Sequence, residues 1–212
     1  QEILSLRIAD IACGSGIFLV EAYRRIVCRW MRTNNISQIT NTQLTTILKE
    51  SIYGVDLNAE AVRVASFSLS LALCDFLDPR SIWNELSFPK LVNENLIVSD
   101  FFDNALDSRL TKYDIVIGNP PWQSQLTNDA VNYLKKNNYI VGDKQIAQAF
   151  SIKCATICKE DGVVCLLMPS KGLLFNRSAK SVAYRKRFFE ENTVSLIINF
   201  SIYRRVLFDN AT

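Results

Sequence analysis

The sequence predicts an α/β protein built on a doubly wound, mostly parallel sheet. Three observations carry that prediction. Short runs of β-branched and other apolar residues alternate six times with stretches of helical periodicity along the 212 residues, which is the pattern of strand–helix–strand units. The first run ends in Cys13-Gly14-Ser15-Gly16, a glycine turn that opens a helix. The fourth, Tyr113-Asp114-Ile115-Val116-Ile117, stops abruptly at Gly118-Asn119-Pro120-Pro121-Trp122, so a buried strand feeds a rigid loop.

Taken in order, Leu6 to Ala12 reads as the first strand, and Ile17 to Met31 as a helix with Phe18, Leu19, Ala22, Ile26, Val27 and Trp30 at helical spacing. The polar stretch Thr33 to Thr42 is a surface connection before a short helix from Gln43 to Lys49. Ser51 to Val55 is the second strand, closed by Asp56; Asn58 then caps a helix from Ala59 to about Phe76, which Pro79 ends. Residues 81–93 fit no single element. Asn95 to Val98 is the third strand, followed by Ser99-Asp100-Phe101-Phe102. After the fourth strand, Gln123 to Asp143 is a polar, mobile excursion with a helix in it, and a further helix runs from about Gln145 to Lys159. Asp161-Gly162 turns into a fifth strand, Val163 to Met168. Ser181 to Glu191 is a basic amphipathic helix and Val194 to Phe200 a sixth strand.

Composition narrows the function. At 49% hydrophobic the chain supports one sizeable core, and a single domain over residues 1–212 is expected. Residues 171–212 hold eight Lys or Arg against three Asp or Glu, which fits either a phosphate-facing surface or a solvated helix face. The sequence contains no histidine, which excludes nucleophiles served by a His base and nearly all catalytic zinc sites; no metal site is expected. Six cysteines without a C-x-x-C pair, most of them in apolar stretches, read as free thiols of a reducing cytoplasm. No secretory pattern and no apolar run of about 20 residues is present, so a soluble cytoplasmic protein without a membrane partner is expected.

The chemistry-bearing groups fall after strands. Consecutive prolines fix φ and remove two backbone donors, leaving the Asn119 amide and the Pro120 carbonyl as fixed polar groups, with the flat face of Trp122 two residues on. Such a loop suits an exocyclic amino group. Gly14 and Gly16 permit a sharp turn and close approach of a ligand, and Asp56 stands where an acid accepts two ribose hydroxyls. Alone, the two-glycine turn is equally an ordinary connection. A dinucleotide enzyme competes, but the third glycine of G-x-G-x-x-G is Leu19, and Asp56 lies farther along than the usual spacing of about 20 residues.

The succession Asp10-Ile11-Ala12-Cys13-Gly14-Ser15-Gly16, Gly54-Val55-Asp56, Ser99-Asp100-Phe101-Phe102 and Asn119-Pro120-Pro121-Trp122 resembles the ordered motifs of the amino-group DNA methyltransferases, chiefly the adenine-N6 enzymes of restriction-modification systems. The resemblance implies a Rossmann-like fold that binds S-adenosylmethionine. Asp10 and Gly14 to Gly16 would lie by its methionine part, Asp56 by the ribose, and Asp100 and Phe101 by the adenine, with Ala12 and Leu57 also among the cofactor-binding residues. Asn119, Pro120, Pro121 and Trp122 would form the catalytic loop, with Trp122 stacking on a flipped-out adenine in double-stranded DNA. Phe208 would supply the opposite wall, with Tyr203 as runner-up; Arg204 and Arg205 would lie near phosphates, and Lys171 and Phe175 border the site. Each has a plainer reading: Asp10 and Asp100 as turn caps, Phe101, Phe208 and Trp122 as structural aromatics.

Such sheets add a seventh, antiparallel strand between the fifth and sixth, so this chain, ending at Thr212, is expected to be a fragment. Its target-recognition domain, and any nuclease, would be fused or separate. Methylation at cytosine C5 is excluded because no Pro-Cys pair occurs, and cytosine N4 enzymes more often carry Ser before the prolines. A methyltransferase for a protein glutamine amide or an RNA base shares the Asn-Pro-Pro-aromatic loop, and an inactive nucleic-acid-binding subunit is the non-enzymatic alternative.

Overall fold

Strands form where apolar runs find ladder partners. In the computed structural model, which describes residues 6–110, 112–203 and 206, β1 (Ile8–Asp10) pairs with β2 (Ile52–Asp56) on one side and β4 (Tyr113–Gly118) on the other. β3 (Leu96–Val98) adds to β2 and β5 (Cys158–Leu166) to β4. All pairs are parallel, and the order is β3-β2-β1-β4-β5. The chain therefore runs outward from β1 to β3 and then returns to the other side of β1. That doubly wound order puts the topological switch between β1 and β4, the place where open α/β sheets bind ligands at the carboxyl edge.

Chain contacts divide the molecule into two units, Gln1–Pro120 with Lys153–Leu167 and Pro121–Ile152 with Met168–Thr212. The first holds the sheet. Its core joins α1 (Ile17–Thr33), α2 (Asn41–Ser51) and α3 (Ala59–Cys74) to the strands through Leu19, Tyr23, Leu44, Leu48, Leu69 and Leu73 against Ile8, Ile52 and Leu96. Each leucine withdrawn this fully from water contributes about 1.5–3 kcal/mol. The helix starts are chemically capped. Thr40 and Gln43 form a reciprocal capping box for α2, and the Asn58 side chain accepts from the amides of Glu60 and Ala61 at the start of α3.

Gly16 enters α1 with φ 84°, and a Cβ there would meet the Ala65 Cβ of α3 at 2.9 Å. Gly16→Ala is expected to cost about 1–3 kcal/mol in left-handed strain and contact, read as a Tm several degrees lower in a thermal melt. An unchanged Tm would contradict the close packing of the turn.

Pro79 does not simply end a helix. It is the first residue of α4 (Pro79–Glu85), whose N-cap Asp78 accepts from the amides of Arg80 and Ser81, because a proline at the first helical position gives up an amide that has no partner anyway. The Asp161-Gly162 pair is not a turn either, since β5 runs through it. α5 (Asn104–Asp107) follows β3. No strand spans Val194 to Phe200. These residues have no regular structure, and Leu196 and Ile198 are exposed: an apolar run becomes a strand only when a ladder pairs it.

In the second unit α6 (Asn128–Lys136) is capped by Thr127. α7 (Ile146–Ile157) starts here and ends in the first unit. The buried Gln148 of α7 accepts the Gly142 amide and donates to the Gly172 carbonyl, and Ser151 meets the Tyr184 hydroxyl of α8 (Ala179–Glu191) at 2.7 Å. Among the described residues no helix is long and apolar enough to cross a membrane.

Candidate active site

The site is assembled from loops at the carboxyl ends of β1, β2, β3 and β4. At the end of β1, Asp10 is 2% exposed and its Oδ1 accepts the Ala12 amide at 3.1 Å. The next turn is tied to β2 twice: Cys13 N–H donates to the Val55 carbonyl at 3.0 Å and Gly14 N–H to Asp56 Oδ2 at 2.8 Å. Asp56 Oδ1 accepts the Asn58 amide at 2.8 Å, so one carboxylate fixes the glycine turn and the start of the following loop. Each oxygen keeps a lone pair for a ligand hydroxyl. Leu57 is 68% exposed.

β3 joins the same edge. Ser99 N–H donates to the Asp56 carbonyl at 3.0 Å, and the Asp100 carboxylate accepts the Phe102 amide at 2.9 Å. Phe101 is 2% exposed, so its ring is part of the core while its backbone lines the turn. On the other side, a Cβ built on Gly118 would lie 3.4 Å from Asp10 Oδ1. The same Cβ would lie 3.0 Å from the Ile11 side chain, so the end of β4 runs close beside the end of β1. Asn119 is the next residue. It is exposed, whereas Pro120 is buried.

The first unit thus brings together Asp10, Ala12, Gly14, Gly16, Asp56, Leu57, Asp100, Phe101, Asn119 and Pro120. Pro121 and Trp122 open the second unit, where Trp122 is 45% exposed. In that unit Lys171 and Phe175 bound one π-helical turn and Tyr203 ends a 3-10 turn, with both aromatic rings exposed. Phe208, Arg204 and Arg205 lie outside the described residues. A cavity of about 100 Å³ beside Tyr139, Ile140, Tyr184 and Phe188 contains none of the predicted residues and is small beside ligand pockets of about 300–1,000 Å³. What sequence reasoning missed is Asp56 as the clasp on the Gly14 amide, a contact between residues 42 positions apart that no local pattern signals.

Electrostatics sharpen the chemistry. Burial pushes the Asp10 carboxyl up to about 7, partly offset by the Ala12 amide and reinforced by the negative charge of Asp56. Burial, then the charges of Asp10 and Asp56, holds the Cys13 thiol far above its ordinary range, so it is no thiolate nucleophile. Because Asp10 titrates near 7 folded and near 3.8 unfolded, folding binds a proton between those values. Its contribution to stability is full below about 4 and is lost as pH rises to about 7. Asp10→Asn is therefore expected to flatten this part of the stability profile, gaining on the protein by several degrees in Tm between pH 5 and pH 8; parallel Tm-against-pH curves would contradict it.

The carboxyl edge of the sheet thus carries a carboxylate held against a glycine amide, a second acid one strand over, and an exposed amide beyond β4. Comparisons with known proteins give the family. The model of the Eco57I restriction-modification methylase family matches residues 50–206. The type II restriction enzyme and methyltransferase RM.Eco57I of Escherichia coli is 26% identical over a 245-residue alignment that covers 100% of this chain and 24% of that protein. This chain thus spans about a quarter of the length of that relative. Among solved structures, the M protein of the type I restriction enzyme EcoKI superposes with a TM-score of 0.58 at 16% identity, covering 86% of this chain and 34% of that one. The DrdV–DNA complex gives 0.57 at 16% identity, covering 86% and 19%. The two structures share the fold, and the family match reaches well over half of the sequence: the chain belongs to the Eco57I restriction-modification methylase family.

Proposed function

We propose that the protein is an S-adenosylmethionine-dependent methyltransferase acting on the N6 amino group of adenine in DNA. The observation that carries this reading is the convergence at the switch point: Gly14 N–H on Asp56 at 2.8 Å on one side, and Asp10 against Gly118, one residue before Asn119, on the other. Bound there, S-adenosylmethionine supplies a methyl group on a positively charged sulfur. The residues present fit it. Asp56 accepts the ribose hydroxyls, the Asp100–Phe101 turn presents an edge for adenine, and the Gly14–Gly16 turn leaves space for the methionine part beside Asp10. The glycine turn carries Leu19 where a pyrophosphate site has its third glycine, which disfavours a dinucleotide.

For the acceptor, the difficulty is that the amino lone pair is delocalised into the ring. The Asn119 side-chain oxygen and the Pro120 carbonyl accept the two amino hydrogens and favour a pyramidal nitrogen whose lone pair leaves the ring plane. Catalysis is then positioning and electrostatics, with no covalent enzyme intermediate. Trp122 stacks on the flipped base, and Phe208 is the proposed opposite wall. Exposed Lys180 and Lys186 of α8 are suited to duplex phosphates, contacts that position without reading sequence. Calorimetric titration of the full-length protein with S-adenosylmethionine, followed by methyl transfer to duplex DNA with labelled cofactor, tests the reading. Saturable binding and label in adenine support it; absence of binding overturns it.

A further inference from the structure

A buried ammonium group lies under the turn that follows β3. Lys153 of α7 is 2% exposed, and its Nζ donates to Asp107 Oδ1 at 2.7 Å. The same Nζ stands 5.1 Å from the ring centroid of Phe101 and 5.9 Å from that of Phe102. These two rings are themselves buried and meet at 5.4 Å with planes 62° apart. One lysine thus engages both aromatic residues of the turn and, five residues past Phe102, the end of α5.

Taking an ammonium group out of water is costly, and an unbranched apolar side chain would fill a comparable volume without that cost. Packing alone therefore does not account for a lysine in the apolar helix Ile146–Ile157. What a lysine adds is directional attachment: a charged hydrogen bond to a carboxylate and attraction to two ring faces. The turn has local bonds of its own, Phe102 N–H to the Asp100 carboxylate at 2.9 Å and Asp103 N–H to the Asp100 carbonyl at 3.0 Å. Those bonds set its shape. The contacts of Lys153 set where it lies against α7.

Resting on the reading of Asp100 and Phe101 as the adenine edge of the cofactor site, we propose that Lys153 is a positioning residue for S-adenosylmethionine. It fixes the Asp100–Phe102 turn from beneath, so that the adenine meets a preformed edge instead of ordering the turn as it binds. Lys153 acts through the turn and not by contact with the cofactor.

The test uses the full-length protein with Lys153→Met, Asp107→Asn and both together, each titrated calorimetrically with S-adenosylmethionine and assayed on duplex DNA. Lys153→Met is expected to raise Kd and KM for S-adenosylmethionine about tenfold, with kcat at saturating cofactor and KM for DNA within about twofold, the split expected when only ground-state cofactor binding is lost. Asp107→Asn shifts Kd in the same direction by less, and the double variant binds no more weakly than Lys153→Met alone, as partners in one contact should. Wild-type affinity in Lys153→Met would overturn the inference. So would cofactor affinity, DNA affinity and kcat falling together in step with Tm, the mark of general destabilisation. Should Lys153→Met not fold, Asp107→Asn, at a carboxylate 46% exposed, decides the matter: unchanged affinity there overturns the inference. Wild-type protein that takes up no S-adenosylmethionine overturns the cofactor reading itself before any variant is compared, so the two failures are distinguishable.

Discussion

Asn119→Ala is expected to lower methyl transfer by about 10²–10³-fold or more, the scale of removing one preorganised group that acts at the reacting centre, while S-adenosylmethionine binding stays within about twofold. The separation follows from position. Asn119 is exposed just past β4, and its side chain takes no hydrogen bond from a described residue, so its loss costs the fold within about 0.5 kcal/mol. The cofactor contacts proposed for Gly14, Asp56 and Asp100 belong to other strands and remain. A single-turnover assay with labelled cofactor reads the chemical step directly. Turnover at the wild-type rate would remove Asn119 from the mechanism and leave the Pro120 carbonyl without its companion.

The second large effect is expected at Asp56. Its carboxylate bonds the amides of Gly14 and Asn58, each at 2.8 Å, and in the proposed complex it also accepts ribose hydroxyls. Hydrogen bonds to a charged group contribute about 1.5–3 kcal/mol, and each 1.4 kcal/mol is about tenfold in affinity. Asp56→Ala therefore raises Kd for S-adenosylmethionine by about 10²-fold, and Tm falls as two loop amides lose their partner. Asp56→Asn, which keeps one oxygen acceptor, lies between. Calorimetry that gives the same Kd for Asp56→Ala and the wild type would rule out the ribose role.

Much of this was legible in the residues because local chemistry and tertiary structure agree. The β-branched runs at Ile52–Asp56 and Tyr113–Gly118 are strands, Asn58 is a cap, and the glycine turn and the Asn-Pro-Pro loop fall at strand ends on the sheet's carboxyl edge. The misreadings arose where one local signal serves two structures. Pro79 marks a helix start when Asp78 precedes it as a cap, and Asp161-Gly162 passes through β5 where pairing with β4 is irregular between Tyr113 and Ile115. The apolar run Val194–Phe200 has strand composition, but composition does not supply a neighbour. Contacts between distant residues were not legible at all: the clasp of Asp56 on Gly14, or the burial of Lys153 beneath Phe101 and Phe102, which a sequence shows only as a lysine interrupting an apolar helix.

In the proposed mechanism the Asn119 amide and the Pro120 carbonyl, just past β4, direct a methyl group onto an adenine amino nitrogen. Sequencing the modified bases in DNA from cells that express the full-length protein tests it most directly. N6-methyladenine is expected in one recurring sequence context, absent when Asn119→Ala replaces the wild type. DNA that carries no N6-methyladenine in any recurring context, although the wild-type protein is expressed, would contradict adenine as the acceptor.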